Sequence, residues 1–351
     1  MAARKEIVKE FVAAGMAVTK ALRIAEVPKS SYYYQPKGAR KGKPVSTHTL
    51  KRNELVDNQV VVEEINRILS EEFIDYGYVR TTEALKRLGY QINKKKVYRL
   101  MKEDHLLYPK IKRRVSKRRF VEFTVPLATR PFEFIEADFK YIYIEGYKRH
   151  AYLLTFLDVF SRTALAWELN MTMKSNDAVS LMDKMIAQWN VNPKEISIRI
   201  RTDNGSQFIA EIFKENLQQH AIEHEFTHPG TPEQNAHIES FHNTLDRLVC
   251  AQMSFDDFQD AEETLERFFH VYNNERIMKS ILYMAPFEFL ETWTQGRIGY
   301  AEVKGKIKYF LREKPLKIKF KGSSSDTFML QIKDKQLLKT SINSNPILSS
   351  L

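Results

Sequence analysis

A single cysteine, Cys250, stands in 351 residues. No intramolecular disulfide and no cysteine-rich zinc module can be built from it. No apolar run approaches the roughly 18 residues that a membrane span needs. The N-terminal stretch MAARKEIVKEF is a charged helical pattern without the apolar run of a secretory signal. No repeat of solenoid type is visible. A soluble, cytoplasmic protein with no membrane partner is expected, and the length suits two or three domains.

Charge is present in quantity and unevenly spread. The formal net charge is +11, divided as +15 over residues 1–120, −11 over 121–300 and +7 over 301–351. Basic arms suit a polyanion, because each phosphate neutralised releases counterions. An acidic middle suits a metal-dependent site, with a plain solvated surface as the bland alternative.

Residues 1–34 predict three short helices, the first lined by Ile7, Phe11 and Val12 and the second by Val18, Ala21, Leu22 and Ala25. The pattern fits a helix-turn-helix, although Glu26 sits where such turns often carry glycine. Residues 35–56, rich in Pro, Gly and Lys at their start, read as a linker. A second helical unit spans 57–109: Val60, Val61, Ile65, Ile68 and Leu69 mark one helix, and Thr81–Leu88 a second, stopped by Gly89. Asn93 caps a third with Val97, Leu100 and Met101 inside. Lys94, Lys95, Lys96 and Arg99 crowd its first turns, where a recognition helix meets DNA. The tether 110–130 adds Lys112, Arg113, Arg114, Lys117, Arg118 and Arg119 as further DNA-binding candidates.

From residue 131 the pattern becomes α/β. Three strands in series precede a helix at SNDAVSLMDKMIAQWN, a strand at EISIRIRTDNG, a second helix, a fifth strand and two more helices. That order predicts a mixed sheet with helices on its faces over 131–275. Residues 276–351 complete the chain, with alternating KPLKIKF and TFMLQIK suggesting a small basic β appendage.

Three acids stand out in this unit. Asp138 interrupts an apolar alternation in EADFK. Asp203 ends a strand and opens an Asp-Asn-Gly turn, where Gly205 lets the backbone turn away. Glu239 falls on a helix expected from Thr231, as N-cap, and Pro232 onward. It shares a face with Asn235, His242, Asn243 and Asp246, beside the buried stripe of Ile238, Phe241, Leu245 and Leu248. Alone, Asp203 reads as a turn residue and Glu239 as a surface group, whereas Asp138 is out of place in its strand unless it has a task. If the two strands are neighbours and the helix crosses their ends, the three converge. Such a cluster repels itself unless cations intervene. Hard oxygen donors of this kind select Mg²⁺ or Mn²⁺, and two ions can serve an in-line phosphoryl transfer.

TDNGSQF, GTPEQNAHIESFHNTL and the upstream strand aspartate resemble the DDE catalytic core of retroviral integrases and bacterial insertion-sequence transposases. Thirty-five residues lie between Asp203 and Glu239, the spacing that family favours. YGYVRTTEALKRLGYQINKKKVYRLMKEDHL and VTKALRIAEVPKSSYYYQP resemble the helical DNA-binding segments that precede the core in one insertion-sequence group, and YNNERIMKSILYMAPFEF its post-core segment. The resemblance covers roughly residues 15–290. It implies an RNase H-like fold, double-stranded DNA as partner (element ends and target), a homo-oligomer on DNA and association with the bacterial nucleoid. Catalytic and metal-binding roles then fall on Asp138, Asp203 and Glu239, with Asn204, Gln207, Asn235 and His242 supporting them. The activity implied is a transposase that hydrolyses a phosphodiester and joins the freed 3′-OH to a second DNA. An inactive DNA-binding regulator and an RNase H-type nuclease are the alternatives. The sequence departs from the family pattern in three places. Lys140 stands where Thr is usual, Asp246 where a base commonly sits seven residues after the Glu, and Arg276-Ile277-Met278 where Arg-Pro-His is usual.

Overall fold

A computed structural model describes residues 2–33, 46–109, 127–193, 196–228, 232–303 and 305–314. The chain divides into two units, residues 1–47 and 48–351. In the first, α1 (Ala2–Ala13), α2 (Val18–Ile24) and α3 (Lys29–Tyr33) are the three helices expected. Val8, Ala21, Leu22 and Val27 form their core, with Val12 and Tyr32 packed against it. The stripe read from the sequence is corrected here. Ile7 and Phe11 are 42% and 38% exposed, because a lone short helix buries only the line of side chains that faces its neighbour. Glu26 does occupy the glycine-like turn position, at φ 51°.

The second unit begins earlier than the linker reading allowed. β1 (His48–Lys51) and β2 (Glu54–Asp57) form a hairpin whose two turn residues, Arg52 and Asn53, both have positive φ, as a tight hairpin turn requires. Asp57 then caps α4 (Asn58–Ser70), accepting from the Gln59 N–H at 2.7 Å. α5 (Tyr78–Arg87) ends before Gly89, at φ 92°. β3 (Tyr90–Gln91) pairs with β1, and Asn93 caps α6 (Lys94–Glu103) as expected, accepting from Lys96 N–H at 3.0 Å. Val61, Ile65, Leu85, Val97 and Met101 fill the centre, and Ile277 from far along the chain joins them.

β4 (Phe134–Ile144), β5 (Arg149–Asp158) and β6 (Ala164–Asn170) run antiparallel in series. α7 (Ser175–Trp189) leads to β7 (Arg199–Thr202); α8 (Ser206–Ile209) and α9 (Glu211–Gln219) lead to β8 (Glu223–Phe226). β7 and β8 are parallel to β4, so the sheet order is β6-β5-β4-β7-β8. This is the RNase H-like mixed sheet expected. Alternation along β4 divides its two faces. Ile135 and Ala137 pack with Met182, Trp189 and Phe213 of α7 and α9. Ile142 and Ile144 pack with Ile238, Phe241 and Phe268.

That second face is covered by α10 (Ala236–Leu245) and α11 (Phe258–Asn274). The expected helix start is corrected. Pro232–Asn235 form a 3₁₀ turn, and the α-helix proper begins at Ala236. It does not run unbroken past 250 either, since Asp246–Cys250 form a π turn. α12 (Pro286–Thr294) precedes a hairpin of β9 (Ile298–Glu302) and β10 (Ile307–Leu311). The expected strands KPLKIKF and TFMLQIK lie largely or wholly outside the described residues.

The α4–α6 unit is bound to this core by ions as well as apolar contact. Asp75, between α4 and α5, accepts from Arg276 and Arg247 at 2.6 Å each, with Arg80 at 3.6 Å. Arg276 also donates to the Phe73 carbonyl, and Tyr76 Oη bridges Glu275 and Ile277 backbone groups.

Candidate active site

Three residues of one face of β4 meet three levels of α10. Glu136 is completely buried. Its Oε2 accepts from the Ile238 N–H at 2.7 Å and its Oε1 lies 2.8 Å from His237 Nδ1. Two residues on, Asp138 Oδ2 lies 3.5 Å from His242 Nδ1. Two further on, Lys140 Nζ donates to Asp246 Oδ2 at 2.6 Å. The steps match because two strand residues advance about 6.7 Å and four helical residues about 6.0 Å. Strand and helix therefore run side by side in register.

The buried Glu136 carboxylate caps the start of α10; the Thr231 cap read from the sequence lies outside the described residues. A negative charge at a helix N-terminus satisfies otherwise orphaned N–H groups and favours the helix dipole. Arg201 of β7 secures the turn before it, donating to the Gln234 carbonyl at 2.7 Å while paired with Glu225. Burial pushes the His237 imidazole below its usual range, opposed by its hydrogen bond to Glu136.

Parallel pairing sets Glu136 of β4 opposite Arg201 of β7. Continuing that register by two residues levels Asp138 with Asp203. The Asp203 carboxyl is raised above its ordinary value, first by partial burial, with the Gly205 N–H opposing and the charge of Asp138 adding. The charge of Asp138 thus reaches the Asp203 carboxyl. Glu239 is half-buried on α10. It lies three and seven residues before His242 and Asp246, on the helical stripe whose other members touch Asp138 and Lys140. Among the described residues no three His, Cys, Asp or Glu side chains close around one point tightly enough to hold a cation. The donor set still fits a hard divalent ion: carboxylate oxygens whose mutual repulsion a cation would relieve.

Gly205 serves a different purpose from the one its sequence suggests. Its φ is −59°, so no left-handed freedom is used. A Cβ there would instead come 3.0 Å from Asp203 Oδ1, crowding the carboxylate.

The supporting residues divide. His242 touches Asp138 and leaves a buried Nε2 without a partner. Asn235 is buried at the helix start with its Oδ1 unpartnered. Asn204 donates to the Thr227 carbonyl at 2.8 Å and Gln207 to the Met173 carbonyl at 3.3 Å, so both brace loops in this state. On α6, Lys94 and Lys95 are exposed. Lys96 donates to the His48 carbonyl at 2.6 Å and Arg99 reaches Glu103 at 3.9 Å. Lys112, Arg113, Arg114, Lys117, Arg118 and Arg119 lie outside the described residues. Glu136 and the Lys140–Asp246 pair were missed as site components, although the same period of two that singles out Asp138 places them on its face.

Known families match the chain in three segments. Residues 128–232 and 220–286 match models of the integrase core domain, and residues 56–115 a model of the HTH-like domain. The chain is 28% identical over 276 residues to "Putative transposase InsK for insertion sequence element IS150" of Escherichia coli strain K12, covering 76% of this chain and 91% of that protein. It is 27% identical over 255 residues to the transposase for insertion sequence element IS904 of Lactococcus lactis, covering 69% and 98%. Among solved structures, the catalytic core domain of HTLV-2 integrase in complex with magnesium aligns at a TM-score of 0.34 and 15% identity, covering 46% of this chain and 98% of that one. The chain thus matches integrase core models preceded by an HTH-like model, and it is similar to insertion-sequence transposases.

Proposed function

We propose that this protein is a DNA transposase that cuts and joins the ends of its element by metal-dependent phosphoryl transfer. Asp138, Asp203 and Glu239 carry the chemistry. The observations that support this most directly are the register of β4 with β7, which continued by two residues would level Asp138 with Asp203, and the contact of Asp138 with His242 on the stripe of α10 that also carries Glu239. Mg²⁺ or Mn²⁺ bound by these oxygens, as two ions, would supply the positive charge that activates water and stabilises the leaving 3′ oxygen. The chain's own residues do the rest. Glu136 and Arg201 fix the start of α10, His242 holds Asp138 in position, and the Asn204 and Gln207 contacts brace the loop that carries Asp203.

The basic segments 1–120 and 301–351 would bind the DNA ends and target, and the active form would be a homo-oligomer assembled on DNA. Incubating the protein with labelled DNA from the borders of its gene and Mg²⁺ tests this. Joined products are expected. Cut but unjoined products would indicate a nuclease instead, and a shifted but intact band an inactive regulator.

A further inference from the structure

We infer that Lys140 is a phosphate-binding residue for the DNA strand at the candidate site, and that Asp246 occupies its ammonium group until DNA arrives. The inference rests on the reading of this site as one that takes DNA. Lys140 follows Glu136 and Asp138 on the same strand face, about 6.7 Å beyond Asp138. Its Nζ is held by Asp246 Oδ2 at 2.6 Å. The two side chains are 25% and 42% exposed, so the pair is open to solvent on one side. A pair of this kind contributes little net stability, and an incoming phosphate can replace its acid.

Charge favours a side-chain cation here. Residues 121–300 carry a net −11, and the open end of the sheet already concentrates Asp138 and Asp203. A DNA backbone brought to those carboxylates is repelled unless positive charge offsets them, and a side-chain cation beside the bound ions would add to that charge. Asp246 opens the π turn Asp246–Cys250, and such turns loosen the regular helical hydrogen bonding, often at functional sites. Ser240, Asn243, Thr244 and Arg247 continue from Asp246 along a cleft of about 600 Å³ that reaches Arg80. That cleft adjoins Lys140 through Asp246 and offers neutral donors, together with two arginines that also reach Asp75, which suits a sugar-phosphate backbone. A base on β4 and an acid just past the end of α10 thus face each other.

The test uses the full-length protein and a labelled duplex of the DNA bordering its gene, with band shifts measured across a salt series in Ca²⁺. Lys140→Gln is expected to flatten the slope of log affinity against log salt by about 0.9, the loss of one phosphate contact. Lys140→Arg is expected to restore it. Asp246→Asn, which frees the ammonium, is expected to tighten binding by about twofold or more, in the direction that removing a charge next to phosphate requires. Melting temperatures of all variants are recorded in parallel. If Lys140→Gln keeps the wild-type slope, the inference is wrong. It is equally wrong if Lys140→Gln and Asp246→Asn lower the melting temperature and weaken binding alike, because the pair is then only a strut. Cutting by the wild type in Mg²⁺ is scored separately. Its absence would sink the transposase reading, while the salt slopes would still decide the role of Lys140.

Discussion

Glu136 and Asp158 are both completely buried carboxylates, and each has a structural task. Asp158, at the end of β5, accepts from the Phe132 and Ser161 N–H groups and from Ser161 Oγ at 2.5–2.9 Å. Burial pushes its carboxyl up to about 6, with those hydrogen bonds opposing. The folded state therefore holds the proton more tightly than the unfolded chain. The stabilising term is fully present below the unfolded value near 4 and is lost as pH rises through about 6. Linkage puts the loss at roughly 2–3 kcal/mol between pH 4 and 7. The gap in unfolding free energy between wild type and Asp158→Asn should shift by that amount across the window; a pH-independent gap would contradict it. Glu136→Gln keeps one good acceptor where two donors converge, so a loss of about 1–3 kcal/mol is expected in urea unfolding. A wild-type midpoint would remove Glu136 as the anchor of α10. Glu136 and Lys140 went unassigned in the sequence because one polar residue in an apolar strand is visible, whereas its partner a hundred residues away is not.

Elements were legible where apolar periodicity was strong. β4 to β8, α7, α9 and α11 emerge in the expected order, because one buried face per element imposes a period of 2 or 3.6. The β1–β2 hairpin escaped notice because only a few of its residues are apolar and its turn, Arg52-Asn53, lacks glycine. The break of α10 at Ala236 and the π turn at Asp246 leave no local signature, since Glu136 and Lys140 on another strand accompany them. The β4–β5 turn is a further constraint of this kind. A Cβ at Gly146 would lie 1.8 Å from the Asp256 carbonyl oxygen, and Glu145 N–H donates to Phe255 O at 2.8 Å. Gly146→Ala must displace backbone, so a loss of about 1–3 kcal/mol is expected. Thermal unfolding at the wild-type temperature would show that the turn gives way freely.

Across the molecule, the long-range ion pairs decide how the helical segment and the core meet. Asp75 gathers Arg247, Arg276 and Arg80, and the Arg276 side chain is only 3% exposed. Removing the acid leaves a buried guanidinium short of its counter-charge, so Asp75→Ala should cost about 3 kcal/mol in urea unfolding. An effect below about 0.5 kcal/mol, that of an ordinary surface change, would contradict the clasp. No sequence period marks such a contact, because its partners lie about 170 and 200 positions apart and meet only once the sheet has formed. The charge division, by contrast, was legible from the start: basic ends around an acidic middle. It implies that binding and chemistry are separable. The most direct measurement compares wild type and Glu239→Gln side by side, by band shift and by cutting of labelled DNA in Mg²⁺. Gln retains the size and helix propensity of Glu, and Glu239 lies beside the buried stripe of α10. An unaltered or tighter complex is expected, with cutting reduced by about a thousandfold, the equivalent of roughly 4 kcal/mol of transition-state stabilisation. Cutting within about tenfold of wild type, a loss of under 1.4 kcal/mol, would contradict the three-carboxylate site.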